Sequence, residues 1–93
     1  MSDIEFSEKA WMEYVDIQMT DKIMLRRINK LIKDIIRNPY KGIGHPENLK
    51  NDLSGNISRH IDDKNRIVYR VINKDDEVKD IEIISCKNHY SDK

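Results

Sequence analysis

Ile57-Ser58-Arg59-His60-Ile61-Asp62-Asp63-Lys64-Asn65-Arg66-Ile67-Val68-Tyr69-Arg70-Val71-Ile72 carries two runs of strand character on either side of a polar turn. Ile57, Arg59 and Ile61 alternate with Ser58, His60 and Asp62, and a period of two predicts a half-buried strand. Residues 62–65 form a polar turn, and residues 66–72 are rich in the β-branched side chains that suit a pleated surface. Downstream, residues 73–76 read as a second polar turn. Residues 78–86 then form a last strand, with Ile81 and Ile83 on one face and Asp80 and Glu82 on the other. Three strands joined by hairpin-length turns predict an antiparallel meander.

Upstream of this stretch the spacing changes. Residues 54–56 read as a turn and residues 49–53 as a short strand, while residues 40–46 gather Gly42, Gly44 and Pro46 into a loop. Before Asn38-Pro39 the apolar period is helical. Met24, Ile28, Leu31, Ile32, Ile35 and Ile36 form one stripe, and Lys22, Arg26, Arg27, Lys30, Lys33 and Arg37 cover the other faces. Thr20 is the expected N-cap of this helix, and the residue before Pro39 ends it. Ala10, Trp11, Tyr14, Val15 and Gln18 mark an earlier helix over residues 8–18, with Ser7 as its N-cap and Glu8 in its first turn. Residues 3–6 supply a short initial strand. The expected fold is α+β, with two N-terminal helices packed on one face of a twisted, mainly antiparallel sheet in the order β-α-α-β-β-β-β.

The chain has 93 residues, which predicts a single domain spanning residues 1–93. Its 37% charged residues would raise the question of disorder, but 17 acids balance 17 bases and the apolar residues are periodic, so a folded domain is expected. The balance conceals an asymmetry. Residues 1–19 carry five acids and one base, whereas residues 20–50 carry eight bases and three acids. A basic block of this kind fits nucleic-acid contact, and equally a solvated helix face. No apolar run reaches the ~18 residues of a membrane span, and the N-terminus has no apolar segment of a secretory signal, so a cytoplasmic protein is expected.

Cys86, the only cysteine, excludes an intrachain disulfide and reads as a buried core residue. His45, His60 and His89 fall on a loop, a strand and the C-terminal segment without metal-ligand spacing, so neither a metal nor any other cofactor is expected. What remains at strand ends and on strand faces is Glu47, Lys50, Arg59, His60, Arg66, His89 and Tyr90. A carboxylate, imidazoles, guanidinium groups and a phenol suffice to cleave RNA without a metal. A base takes the 2′-hydroxyl proton, a cation stabilises the phosphorane-like transition state, and an acid protonates the leaving 5′-oxygen.

Several stretches resemble the YoeB branch of the RelE superfamily, bacterial toxins of type II toxin–antitoxin modules. They are Phe6-Ser7-Glu8-Lys9-Ala10-Trp11, Gly42-Ile43-Gly44-His45-Pro46-Glu47-Asn48-Leu49-Lys50, Leu53-Ser54-Gly55-Asn56-Ile57-Ser58-Arg59-His60-Ile61, Arg66-Ile67-Val68-Tyr69 and His89-Tyr90. They occur in order across nearly the whole chain and are specific as a group. The resemblance implies a ribosome-dependent mRNA endonuclease that cuts A-site codons and inhibits translation. It also implies a YefM-like antitoxin, the 70S ribosome and mRNA as partners, with no membrane, and it permits a homodimer.

By the same resemblance Glu47 is the general base, Arg66 stabilises the scissile phosphate, His89 is the general acid, and Tyr90 positions the substrate beside it. Lys50 and Arg59 match RNA-contacting cations, and His60 stands where relatives commonly carry a second arginine. Ser91-Asp92-Lys93 extends beyond the point where relatives commonly end. A toxin-fold protein that only binds its antitoxin, blocks the ribosome or inhibits gyrase is the alternative. It would not require the Glu47, Arg66 and His89 set.

Overall fold

The computed structural model describes residues 3–50 and 55–88, without the side chains of Lys79, Lys87 and Asn88. In chain order the elements are β1 (Asp3–Phe6), α1 (Glu8–Thr20), α2 (Lys22–Arg37), β2 (Glu47–Asn48), β3 (Asn56–His60), β4 (Arg66–Lys74) and β5 (Glu77–Asn88). The strands form one sheet in the order β1-β5-β4-β3-β2. β1 runs parallel to β5, and the other neighbours are antiparallel. The expected α+β architecture is therefore present, with a mixed and mostly antiparallel sheet.

Ser7 opens α1 and also fastens it to the sheet. Its Oγ accepts from Ala10 N at 3.0 Å and donates to Ile84 O at 2.9 Å. Glu13 adds a second tie, accepting from Cys86 N at 2.7 Å. The junction between the helices differs from expectation. Thr20 is the last residue of α1, and its hydroxyl donates back to Asp16 O. Asp21 is the N-cap of α2, accepting from Met24 N at 3.0 Å. A carboxylate is as good an N-cap as a hydroxyl and also complements the helix dipole, so the anion takes the position.

Met24, Ile28, Leu31 and Ile35 of α2 are buried, while Ile36, at the margin of the stripe, is exposed. In α1 the inward positions are Ala10 and Ile17, with Tyr14 packed beside them, and Trp11 is half exposed against the Phe6 ring. The sheet contributes Ile57, Ile61, Ile67, Tyr69, Ile81, Ile83 and Cys86 to the same core. Fully burying each such side chain stabilises the fold by roughly 1.5–3 kcal/mol, which is why the helix pair stays on this face.

Two strand boundaries also move. The upstream strand expected at residues 49–53 is instead β2, pairing Glu47 with Ser58 and Asn48 with Ile57; residues 51–54 lie outside the described residues. Pro46 cannot donate to a ladder, so pairing starts just after it on an edge strand. The β4–β5 turn shrinks to Asp75 and Asp76, both left-handed at φ 56° and 66°, as a tight two-residue hairpin requires. No described helix is long and apolar enough to cross a membrane.

Candidate active site

The candidate site lies on the sheet face opposite the helices. Alternation puts Ile67 and Tyr69 in the core, so Arg66, Val68 and Arg70 face the other way. Ser58 pairs with Val68, and Val68 pairs with Ser85, giving a row across three strands that is buried as well. Among the described residues, Ser58 Oγ and Ser85 Oγ are buried side-chain atoms without a hydrogen-bond partner.

At one end of this row Glu47 on β2 is opposite Ser58 on β3. Arg66, the first residue of β4, is opposite His60. Glu47 and Arg66 therefore sit on either side of β3, and small Ser58 leaves room for long side chains to meet above it. Arg66 Nη1 lies 3.5 Å from Glu47 Oε1, with side-chain exposures of 29% and 60%. A carboxylate and a guanidinium are thus held together at an accessible surface. The His60 ring stands 6.1 Å from that of His45, edge to face.

The end of β5 leads to the same place. Asn88 is the register partner of Arg66, and His89 follows it in the chain. His89 and Tyr90 themselves lie outside the described residues. Lys50 is exposed two residues beyond β2. The basic face of α2 borders a cavity of about 390 Å³ lined by Lys30, Lys33, Asp34, Arg37 and Ile43. Among the described residues no three His, Cys, Asp or Glu side chains converge as metal ligands. Burial pushes the Cys86 thiol up to about 12, so it stays protonated and is no nucleophile near neutrality.

Arg59 corrects the sequence expectation of an RNA-contacting cation. Its side chain is 0% exposed and lies on the helix side of the sheet. A guanidinium has five N–H donors, and Arg59 makes five hydrogen bonds within the chain. Nε donates to Tyr69 Oη at 3.0 Å. Nη1 donates to Asp34 Oδ2 at 2.6 Å and Ile43 O at 3.2 Å. Nη2 donates to Asn38 O at 2.7 Å and Lys41 O at 3.2 Å. None is left for a phosphate.

Arg59 in turn holds the Asp34 carboxyl below its ordinary value, helped by the Ile43 N–H. Burial raises the Tyr69 phenol against the pull of Arg59, so the hydroxyl keeps its proton and donates to Pro39 O at 2.6 Å. The signal for this was present in the sequence, because the period of two puts Arg59 on the same face as Ile57 and Ile61. No local pattern in the sequence pairs Asp34 and Tyr69, the side chains that satisfy it, with Arg59.

Residues 6–90 match the sequence profile of the YoeB-like toxins of bacterial type II toxin–antitoxin systems. The chain belongs to that family. It is 47% identical over 87 residues to Toxin YoeB of Synechocystis sp., covering 94% of this chain and 95% of that one. Among solved structures, the YoeB/ParE toxin of Agrobacterium tumefaciens superposes with a TM-score of 0.88 at 38% identity, over 95% of this chain and 99% of the other. The YoeB dimer of Staphylococcus aureus gives 0.83 at 46% identity, over 96% and 98% of the two chains. YoeB in the heterotetrameric YoeB–YefM complex of the same organism gives 0.81 at 44% identity, over 97% and 99%. The two helices, the five-stranded sheet and its open face are thus those of a YoeB-like toxin.

Proposed function

We propose that this YoeB-like toxin is a ribosome-dependent mRNA endonuclease that inhibits translation in the cytoplasm. The observation that carries the reading is the exposed Glu47–Arg66 pair at 3.5 Å on the open sheet face. Glu47 accepts the proton of the 2′-hydroxyl, and the freed oxygen attacks the adjacent phosphorus. Arg66 stabilises the charge that accumulates on the phosphoryl oxygens. His89, one residue past the register partner of Arg66, donates a proton to the departing 5′-oxygen, and Tyr90 helps place the substrate. The products are a 2′,3′-cyclic phosphate and a 5′-hydroxyl. Proton and charge are handled by side chains, so the chemistry calls for no metal or cofactor.

His60 and Lys50 contact the RNA backbone beside this centre. The basic face of α2 meets ribosomal RNA, where phosphate contacts supply affinity without sequence information. An open face of this kind does not by itself hold a flexible strand for in-line attack, and positioning is worth ~7–11 kcal/mol of a barrier. The ribosome supplies it by presenting the A-site codon in a fixed conformation. A YefM-like antitoxin is the proposed partner, and self-association as a homodimer is the second assembly, by analogy with the S. aureus proteins.

Primer extension on an mRNA in programmed ribosomes, beside the same mRNA free in solution, tests the reading. Cutting at the A-site codon only in the ribosomal sample is expected, unchanged by EDTA once ribosome integrity is controlled. Equal cutting of both samples would point to a self-sufficient ribonuclease. Translation arrest with no cut in either would leave a toxin that only binds.

A further inference from the structure

We propose that Arg59 is a positioning residue for Glu47, the buried anchor on which the loop before β2 is wound. This rests on the reading of Glu47 as the general base. Residues 38–46 connect α2 to β2 without regular structure, and Gly42, Gly44 and His45 adopt left-handed φ values of 142°, 81° and 53°. β2 itself has only two residues. So short an edge strand does little to define its own register, and a slip by one residue would turn Glu47 to the other face of the sheet.

The register is instead imposed from upstream. The carbonyl oxygens of Asn38, Lys41 and Ile43 all accept from the Arg59 guanidinium. That of Pro39 accepts from Tyr69, which is itself bonded to Arg59, and that of Gly44 accepts from the backbone N–H of His60 at 2.7 Å. The Asp34 carboxylate closes the circle, accepting from Arg59 and from Ile43 N. Gly42 is required where the loop closes on this knot, because a Cβ there would overlap the Asp34 carboxylate and approach Arg59 Nη1 to 2.9 Å.

The loop is thereby fastened at residues 38, 39, 41, 43 and 44 to β3 and β4 before Pro46 hands the chain to Glu47. Arg59 and its neighbour Ser58 divide the work between the two faces of one strand. Arg59 grips the loop from the core side, and Ser58 lies opposite Glu47 on the open side. A planar fork of five donors suits such a ring of carbonyls, and the point charge of a lysine does not.

Arg59→Lys and Tyr69→Phe test the proposal with two measurements on the purified full chain. The first is amide hydrogen exchange, which needs no activity. Protection should fall about tenfold or more at Ile43, His60 and Leu49, whose N–H groups bond to Asp34, Gly44 O and Asn56 O, while the β4–β5 amides stay protected. The second is single-turnover cleavage on programmed ribosomes together with ribosome affinity. Misplacement of a reacting group by about 1 Å can cost ~10²-fold, so the rate should fall by about that factor while affinity changes less than twofold.

Uniform loss of protection across the sheet would overturn the proposal in favour of a purely structural role, and so would a rate that falls only in step with affinity. Unchanged loop protection with an unchanged rate would overturn it outright. If the wild-type protein does not cut mRNA on ribosomes, the endonuclease reading fails, and the exchange data still decide whether Arg59 holds the loop of Glu47.

Discussion

Arg59 and Arg66 stand seven positions apart in the chain, on adjacent strands, and have opposite surroundings. Arg59 is fully buried with all five donors taken by the protein, whereas Arg66 begins β4 on the open face, 3.5 Å from a largely exposed carboxylate. One residue of parity separates the two roles. On β3, Arg59 shares the inward side with Ile57 and Ile61, while Arg66 shares the outward side of β4 with Val68. Identical side chains therefore become a buried anchor in one case and, in the other, a partly exposed cation beside Glu47, the one proposed to act on phosphate. A buried charge must be met by bonds within the protein, while a partly exposed one stays accessible to solvent.

Stability measurements separate the two arginines by the largest margin. Arg59→Met removes the Arg59 donors from three loop carbonyls and from Asp34, which keeps only the Ile43 N–H and Arg37. Removing one member of a buried pair typically costs ~3–5 kcal/mol, a large part of the stability of a 93-residue domain. Urea unfolding followed by circular dichroism should show this loss, and a change below about 1 kcal/mol would mean that the knot contributes little. Tyr69→Phe keeps the ring but removes the bonds to Arg59 and Pro39, so a smaller loss of about 1–3 kcal/mol is expected in the same assay.

Acid acts on the buried arginine's partner. The Asp34 carboxyl lies below its ordinary 3.8 in the folded chain, chiefly because Arg59 donates to it. The unfolded chain therefore binds the proton more readily, and the stabilisation is fully present above that ordinary value and lost as pH falls through the folded one. Asp62 acts in the same window. Its burial works against the charged form, but the N–H groups of Asn65 and Lys64 outweigh that and leave it lowered overall. Stability should thus be flat from pH 7 to about 5 and decline below about 4. Arg59→Met should flatten part of this decline and leave the Asp62 part. An unchanged acid limb would show that Asp34 is not held by Arg59 in solution.

The surface pair should have the smallest effect on stability. Exposed ion pairs are worth about 0–1 kcal/mol, so Glu47→Gln should unfold within about 1 kcal/mol of the wild type while losing most growth inhibition. A stability loss as large as that of Arg59→Met would erase the distinction between the two regions.

Much of this architecture follows from the spacing of the apolar residues. The stripe of Met24, Ile28, Leu31 and Ile35 and the alternation at Ile81 and Ile83 each state a period that packing then obeys. Local competition was harder to read. Thr20 and Asp21 are both good caps, and only the length of α1 decides between them. Helical spacing marks Trp11 alongside Ala10 and Tyr14, yet Ile17 takes the inward position and Trp11 rests on Phe6 at the rim.

At the site, residue types and motifs pointed to Glu47 and Arg66, which the fold brings together from positions 47 and 66. The same motifs made Arg59 look like an RNA ligand, because a motif records that an arginine is present and not which way it faces. Only its alternation with the isoleucines carried that information. Whether five acceptors would gather around it depends on a loop whose path no local pattern specifies.

The claim that Arg66 performs chemistry while Arg59 performs architecture is tested most directly by single-turnover cleavage of an A-site codon by Arg66→Ala on saturating programmed ribosomes. Loss of a group that stabilises charge in the transition state predicts a rate lower by about 10²–10³-fold, with a stability loss well below that of Arg59→Met. Cleavage at the wild-type rate would contradict the account and remove Arg66 from the reaction.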